Sequence, residues 1–110
     1  MSTTIDTIKD QISSHPILIY MKGAPNAPQC GFSARAVQAL MSCNQKFAYV
    51  DILQNPDIRA ELPKYANWPT FPQLWVKGEL VGGSDIIQEL SDSGELQTML
   101  AAAAEGADQA

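Results

Sequence analysis

Between Thr3 and Ser14, Ile5, Ile8 and Ile12 recur at helical spacing, and Asp6 sits where the positive end of a helix dipole favours a carboxylate. His15-Pro16 closes this helix, because the residue before a proline is pushed out of the helical region. Ile17–Met21, ILIYM, is short, continuously apolar and rich in β-formers, the pattern of a central strand buried on both faces. The segment KGAPNAPQ reads as a loop punctuated by Gly23, Pro25 and Pro28. A helix is predicted from Ser33, with Val37, Leu40 and Met41 on one face, and KFAYVDI reads as a second strand ending at Ile52. Asn55 and Pro56 have the types preferred at an N-cap and first helical position. Ile58, Leu62 and Tyr65 mark the buried side of that helix, and Pro63 is expected to cut or kink it. Apolar runs on either side of Lys77-Gly78 predict a hairpin, stopped by Gly82-Gly83. Ser84 or Asp85 is expected to cap the next helix, which carries Ile86, Ile87 and Leu90. SDSGE breaks it before a last helix bearing Leu96, Met99 and Leu100, and the alanine-rich end reads as a fraying tail.

The order is therefore α-β-α-β-α-β-β-α-α. A β-α-β unit has parallel strands, and the hairpin adds antiparallel ones. The expected fold class is α/β: a thioredoxin-like, four-stranded mixed sheet with helices on both faces. Residues 1–104 are expected to form one domain and 105–110 a flexible tail. In this layout the loop after the first strand delivers Cys30 to the N-terminus of the next helix.

Composition narrows the chemistry. With 110 residues, 45% apolar and 17% charged, the chain fits one globular domain of common size. No apolar run reaches the length of a membrane span, and the first residues lack the layout of a secretory signal, so a cytoplasmic location is expected. A net charge of −5 argues against nucleic acid, whose binding needs clustered Lys and Arg. Cys30 and Cys43 with the single His15 cannot make a four-ligand zinc site. Any metal must borrow ligands from elsewhere.

Cys30 lies directly before Gly31 and three residues before Ser33, so a serine stands where the second thiol of a C-x-x-C redox pair would be. Unpaired backbone N–H groups and the helix dipole at this position favour the thiolate, which lowers the thiol pKa. Gly31 permits close approach of a ligand to the backbone. Cys43, at the end of the same predicted helix and without special neighbours, reads as structural.

CGFS at Cys30–Ser33, with MKG at Met21–Gly23, WPTFPQLW at Trp68–Trp75 and GGSD at Gly82–Asp85 in order, resembles the monothiol glutaredoxins. The match spans all but about the last ten residues. The resemblance implies glutathione binding, and residue by residue it implies the site. Lys22 and Arg59 are assigned to the ligand's glycyl carboxylate, Arg59 by its bidentate fork. Phe71, before a cis Pro72, offers its N–H and C=O to the cysteinyl amide as an added strand. Backbone N–H groups at Ser84 and Asp85 suit the γ-glutamyl carboxylate, with the Asp85 carboxylate accepting from the ammonium. Trp68 and Trp75 are assigned to packing.

The same resemblance implies a cargo. A [2Fe–2S] cluster takes four ligands. One chain supplies Cys30 and one bound glutathione, so a cluster-bridged homodimer completes the set. Storage and delivery of clusters to apo-acceptor proteins is then the expected function, with a BolA-type protein as an alternative partner. The competing reading is a glutathione-dependent thiol–disulfide oxidoreductase working by monothiol deglutathionylation, a reaction that needs no second cysteine.

Overall fold

The structure, a computed structural model, describes residues 3–108. In chain order its elements are α1 (Thr4–Ser14), β1 (Ile17–Met21), β2 (Gly23–Ala24), β3 (Ala27–Pro28), α2 (Gly31–Ser42), β4 (Ala48–Asp51), α3 (Pro56–Ala66), β5 (Gln73–Val76), β6 (Glu79–Gly82), α4 (Ser84–Ser93) and α5 (Glu95–Asp108). The main sheet has the order β4-β1-β5-β6. β1 runs parallel to β4 and antiparallel to β5, which pairs antiparallel with β6. All five residues of β1 are buried, as its unbroken apolar run requires of a strand covered on both sides. Ile17, Ile19 and Met21 pack with Val37 and Leu40 of α2, Ile87 of α4 and Leu96 and Leu100 of α5. Leu18 and Tyr20 point the other way, onto Ile8 and Ile12 of α1 and Ile58 and Leu62 of α3. The alternation of side chains along one strand thus sorts the helices into two layers. Among the described residues no helix is long and apolar enough to cross a membrane.

Local chemistry accounts for most boundaries. Thr3 is the N-cap of α1 and forms a capping box with Asp6: its Oγ1 accepts the Asp6 N–H at 3.1 Å and Asp6 Oδ2 accepts the Thr3 N–H at 3.3 Å. The β5–β6 turn places both Lys77 and Gly78 at positive φ, 52° and 82°, as a tight primed hairpin turn demands. Gly94, at φ 83°, ends α4.

Several expectations change. The segment after β1 is a miniature hairpin rather than an irregular loop, because β2 and β3 pair and the Gln29 N–H donates to the Lys22 carbonyl at 2.9 Å. Strands of two residues carry no periodic signal. Pro63 lies in the final turn of α3 and does not cut the helix, which ends only at Asn67 in the left-handed region (φ 53°). The N-cap Asn55 uses its side chain elsewhere, donating from Nδ2 to the Asp51 carbonyl at 2.9 Å. Met41 and Tyr65, placed on buried faces by spacing, are 56% and 40% exposed. Neither Ser84 nor Asp85 caps α4; Gly83 is its N-cap and offers no side chain. α5 continues through the alanine run to Asp108, with Ala103 buried in the core, where a fraying end is expected from sequence. Alanine is the best helix former, and its small side chain lets a helix lie close to its neighbours. Residues 109–110 of the expected tail lie outside the described residues.

Candidate functional site

The site grows out of the rim where β1 ends. Lys22 follows β1 directly, and the β2–β3 hairpin then returns the chain to Cys30. Two bonds hold that return: Asp51 Oδ1 accepts the Gly23 N–H at 2.9 Å, and the Gln29–Lys22 backbone bond closes the base. Gly23 has φ +92°, and a Cβ there would lie 2.6 Å from the Ala27 carbonyl oxygen, so only glycine fits.

Cys30 is the N-cap of α2, extended at φ −153° and ψ 155°, and its Sγ accepts the Ser33 N–H at 3.3 Å. A sulfur thus fills the role usually played by a serine or aspartate oxygen. Ser33 is fully buried beneath it. The Ser33 Oγ accepts the Lys22 N–H at 3.1 Å and lies 3.3 Å from Cys30 Sγ. While Cys30 is a thiol, its S–H donates to this oxygen. Once the sulfur is ionised, the hydroxyl proton turns to it and the Lys22 N–H keeps its acceptor. Partial burial pushes the Cys30 pKa up, but the Ser33 hydroxyl, the Ser33 and Phe32 N–H groups and the Lys22 charge outweigh it. The net result holds Cys30 below its ordinary value. From sequence, Ser33 registers only as a missing cysteine; its place under the sulfur appears once strand end and helix start are brought together.

Next to this thiol lies a groove of about 700 Å³. Of the residues singled out from sequence, Lys22, Arg59, Phe71, Ser84 and Asp85 all line it. Cys30 is not in the lining itself but adjoins it through Phe32 and Lys22, which are. Four separate segments therefore converge. Lys22 comes from the end of β1 and Arg59 from α3, so two cations face the groove. The Phe71-Pro72 bond is cis, and the Phe71 N–H and C=O take no part in the backbone hydrogen bonds that tie loops and caps. On the far side, α4 begins with Ser84 and Asp85, and its N-terminal N–H groups have no side-chain cap. Such an end attracts an anion. Gly82 and Gly83 let this end approach the cis-proline loop: a Cβ at Gly83 would stand 3.3 Å from the Pro72 carbonyl oxygen and 3.5 Å from Trp68 Nε1.

One residue departs from its expected place. Trp75 is buried in the core, but Trp68 lines the groove, and its Nε1 is a buried donor without a partner among the described residues. Lys64, on the same helix as Arg59, is turned to solvent 3.9 Å from Glu61 and does not line the groove. The second cysteine is remote in chemistry as well as position. Cys43 is buried at the other end of α2, its S–H donates to the Ala39 carbonyl at 3.5 Å, and burial raises its pKa. Among the described residues no three His, Cys, Asp or Glu side chains cluster to hold a metal ion.

A family model described as Glutaredoxin matches residues 17–81, more than half of the chain. The chain belongs to the glutaredoxin family. Glutaredoxin 4 of Escherichia coli (strain K12) is 71% identical over 100 residues, which cover 91% of this chain and 87% of that protein. The solution structure of reduced apo GrxS14 from poplar, 46% identical, superposes with a TM-score of 0.75 over 88% of this chain and 89% of its own. A buckwheat glutaredoxin solved as a glutathione complex has a TM-score of 0.79 at 20% identity, covering 91% and 89% of the two chains, a likeness of fold. These matches make this glutaredoxin a thioredoxin-like protein of the bacterial monothiol kind, in which Ser33 replaces the second motif cysteine.

Proposed function

We propose that this glutaredoxin binds glutathione in the groove and, as a pair of chains, carries a [2Fe–2S] cluster as cargo for apo-acceptor proteins. The observation that carries the reading is a single usable thiolate beside a groove with cationic and anion-binding ends. Lys22 and Arg59 suit the glycyl carboxylate, and the uncapped start of α4, Ser84 and Asp85, suits the γ-glutamyl carboxylate and ammonium. Phe71 between them can pair its main chain with the cysteinyl amide, and a buckwheat glutaredoxin of like fold, solved with glutathione bound, supports the reading.

One chain offers one cluster ligand, because Ser33 has no sulfur and the buried Cys43 lies at the other end of α2. Glutathione adds one, and a second loaded chain completes the four that a [2Fe–2S] cluster takes. A cluster so held leaves easily, as a delivery protein needs. A BolA-type protein in place of the second chain is the hetero-complex form of the same arrangement, and a reducing cytoplasm is the setting in which Cys30 stays free. Anaerobic reconstitution with iron, sulfide and glutathione tests the reading. Wild type acquires visible absorption and the mass of a dimer; Cys30→Ser, or wild type without glutathione, acquires neither. A cluster retained by Cys30→Ser defeats it.

A second reading rests on the stabilised, partly exposed Cys30 thiolate. It can attack the glutathionyl sulfur of a mixed disulfide, forming a Cys30–glutathione disulfide and releasing the substrate thiolate, which takes a proton from water. A second glutathione thiolate then displaces Cys30 and leaves as glutathione disulfide. Fast turnover in a mixed-disulfide assay by protein that fails to load a cluster would favour this reaction as the principal one.

A further inference from the structure

A buried amide holds the wall of the groove. Gln73 opens β5, a strand buried at all four of its positions, and is itself fully buried. A carboxamide taken out of water without partners is costly, so its hydrogen bonds show why it is there. Gln73 Nε2 donates to the Trp68 carbonyl at 3.1 Å and to the Thr70 carbonyl at 3.3 Å, and Gln73 Oε1 accepts the Trp75 Nε1–H at 3.2 Å. Both Nε2 protons and the oxygen are used. The orientation of the amide is also determined, since an indole nitrogen only donates and must face the oxygen. That leaves Nε2 aimed at the two carbonyls.

The segment so held is poor in bonds of its own. Pro69 and Pro72 have no N–H to give. Between Trp68 and Pro72, the only backbone bond that ties the loop, among the described residues, runs from the Trp68 N–H to the Pro63 carbonyl at 3.1 Å. The same segment forms one side of the groove through Trp68, Pro69, Thr70 and Phe71. A proline-punctuated wall that cannot anchor itself is therefore anchored from below, by a side chain that does not line the groove.

We infer that Gln73 is a positioning residue for glutathione: its side-chain amide sets the Trp68–Phe71 wall, and hence the Phe71 main chain, in the shape that receives the tripeptide. This inference rests on the glutathione reading above but is independent of the cluster. No other residue type meets the three demands. Methionine has similar shape and leaves two carbonyls unpaired. Glutamate directs an acceptor at them.

The test is titration with S-methylglutathione, which can neither form a disulfide nor ligate iron, followed by calorimetry at a temperature where every variant is folded. Relative to wild type, Gln73→Met should weaken binding about tenfold or more, because the wall freed from its two bonds must be ordered again by the ligand, and Gln73→Glu should weaken it further. Gln11→Leu serves as the structural control. It removes the partner that accepts the buried Tyr20 hydroxyl at 2.9 Å, so it should lower the melting temperature without changing affinity. The rate of Cys30 alkylation by iodoacetamide should be the same in wild type and Gln73→Met, because the amide touches no group around the sulfur. Affinity of folded Gln73→Met within twofold of wild type overturns the inference and leaves glutathione binding intact; wild type that does not bind S-methylglutathione overturns both. A measurement on wild type alone covers a variant that does not fold. The Gln73 side-chain NH2 should exchange slowly with deuterium and shift in the NMR spectrum when S-methylglutathione binds, and fast exchange with no shift would refute the role.

Discussion

Replacing Ser33 by alanine is the sharpest probe of how the thiol is prepared. The change removes one oxygen from a position with no solvent exposure, so no water takes its place. Two partners lose it. The Lys22 N–H, which donates to Ser33 Oγ at 3.1 Å, becomes an unsatisfied, partly buried donor at a cost of ~1 kcal/mol. For a domain of this size that lowers the melting temperature by roughly 4–8 °C per kcal/mol. The Cys30 sulfur, 3.3 Å away, loses the hydroxyl that donates to its thiolate form, while the Ser33 and Phe32 N–H groups and the Lys22 charge remain. The Cys30 pKa should therefore rise towards the ordinary thiol value in Ser33→Ala. The sign for stability follows. Wild-type Cys30 is depressed in the folded state, so between its folded pKa and the roughly 8.5 of an unfolded thiol the unfolded chain binds more protons. Stability contributed by the thiolate grows with pH through that window, is complete above it, and is lost as pH falls through the folded pKa. Ser33→Ala should show less of this growth. The assay is the rate of iodoacetamide alkylation against pH, with Cys43 silent because it is buried, alongside thermal melts at each end of the window. An alkylation profile that coincides with wild type, in a variant that is folded, would refute the argument that the hydroxyl stabilises the thiolate.

Other perturbations test other parts. Lys22→Ala and Arg59→Ala should each weaken S-methylglutathione binding by ~0.2–1 kcal/mol, as partly solvated ion pairs do, with the loss shrinking as salt is raised; calorimetry at two ionic strengths checks both the size and the trend. In Gly23→Ala, a Cβ 2.6 Å from the Ala27 carbonyl oxygen at φ +92° meets backbone that no rotamer can move. It should cost more than ~1 kcal/mol in a denaturant melt and slow Cys30 alkylation by disturbing the hairpin that presents it. Cys43, whose pKa is raised by burial, keeps its proton in the folded chain while the unfolded thiol ionises, so wild type should lose stability as pH climbs above about 8.5. Cys43→Ala should remove that alkaline loss, measured as the slope of melting temperature against pH.

Elements with strong one-dimensional signatures were readable before any coordinates. ILIYM could only be a strand covered on both faces, the Lys77-Gly78 turn declared its hairpin, and the helices followed from their apolar spacing. These signals are local, because backbone dihedrals and side-chain periodicity act over a few residues. The position of Cys30 at the start of α2 followed from the same order of elements. Local rules also misled where tertiary context outweighed them. Pro63 is tolerated because α3 is already ending, and Met41 and Tyr65 fall at the margin of their apolar faces.

The chain alone thus determined the strands of the main sheet and the helices between them, their order, and the thiol's place at a helix N-terminus, since each depends on neighbours close in sequence. Only the tertiary structure decided that Ser33 lies between the Lys22 N–H and the Cys30 sulfur, that Asp51 reaches 28 residues back to hold Gly23, and that Gln73 turns inward to carry a loop of prolines. Hydrogen bonds of this kind depend on where sheet, helix and loop meet in space. They form there because a buried polar group without a partner is more costly than almost any local preference it overrides.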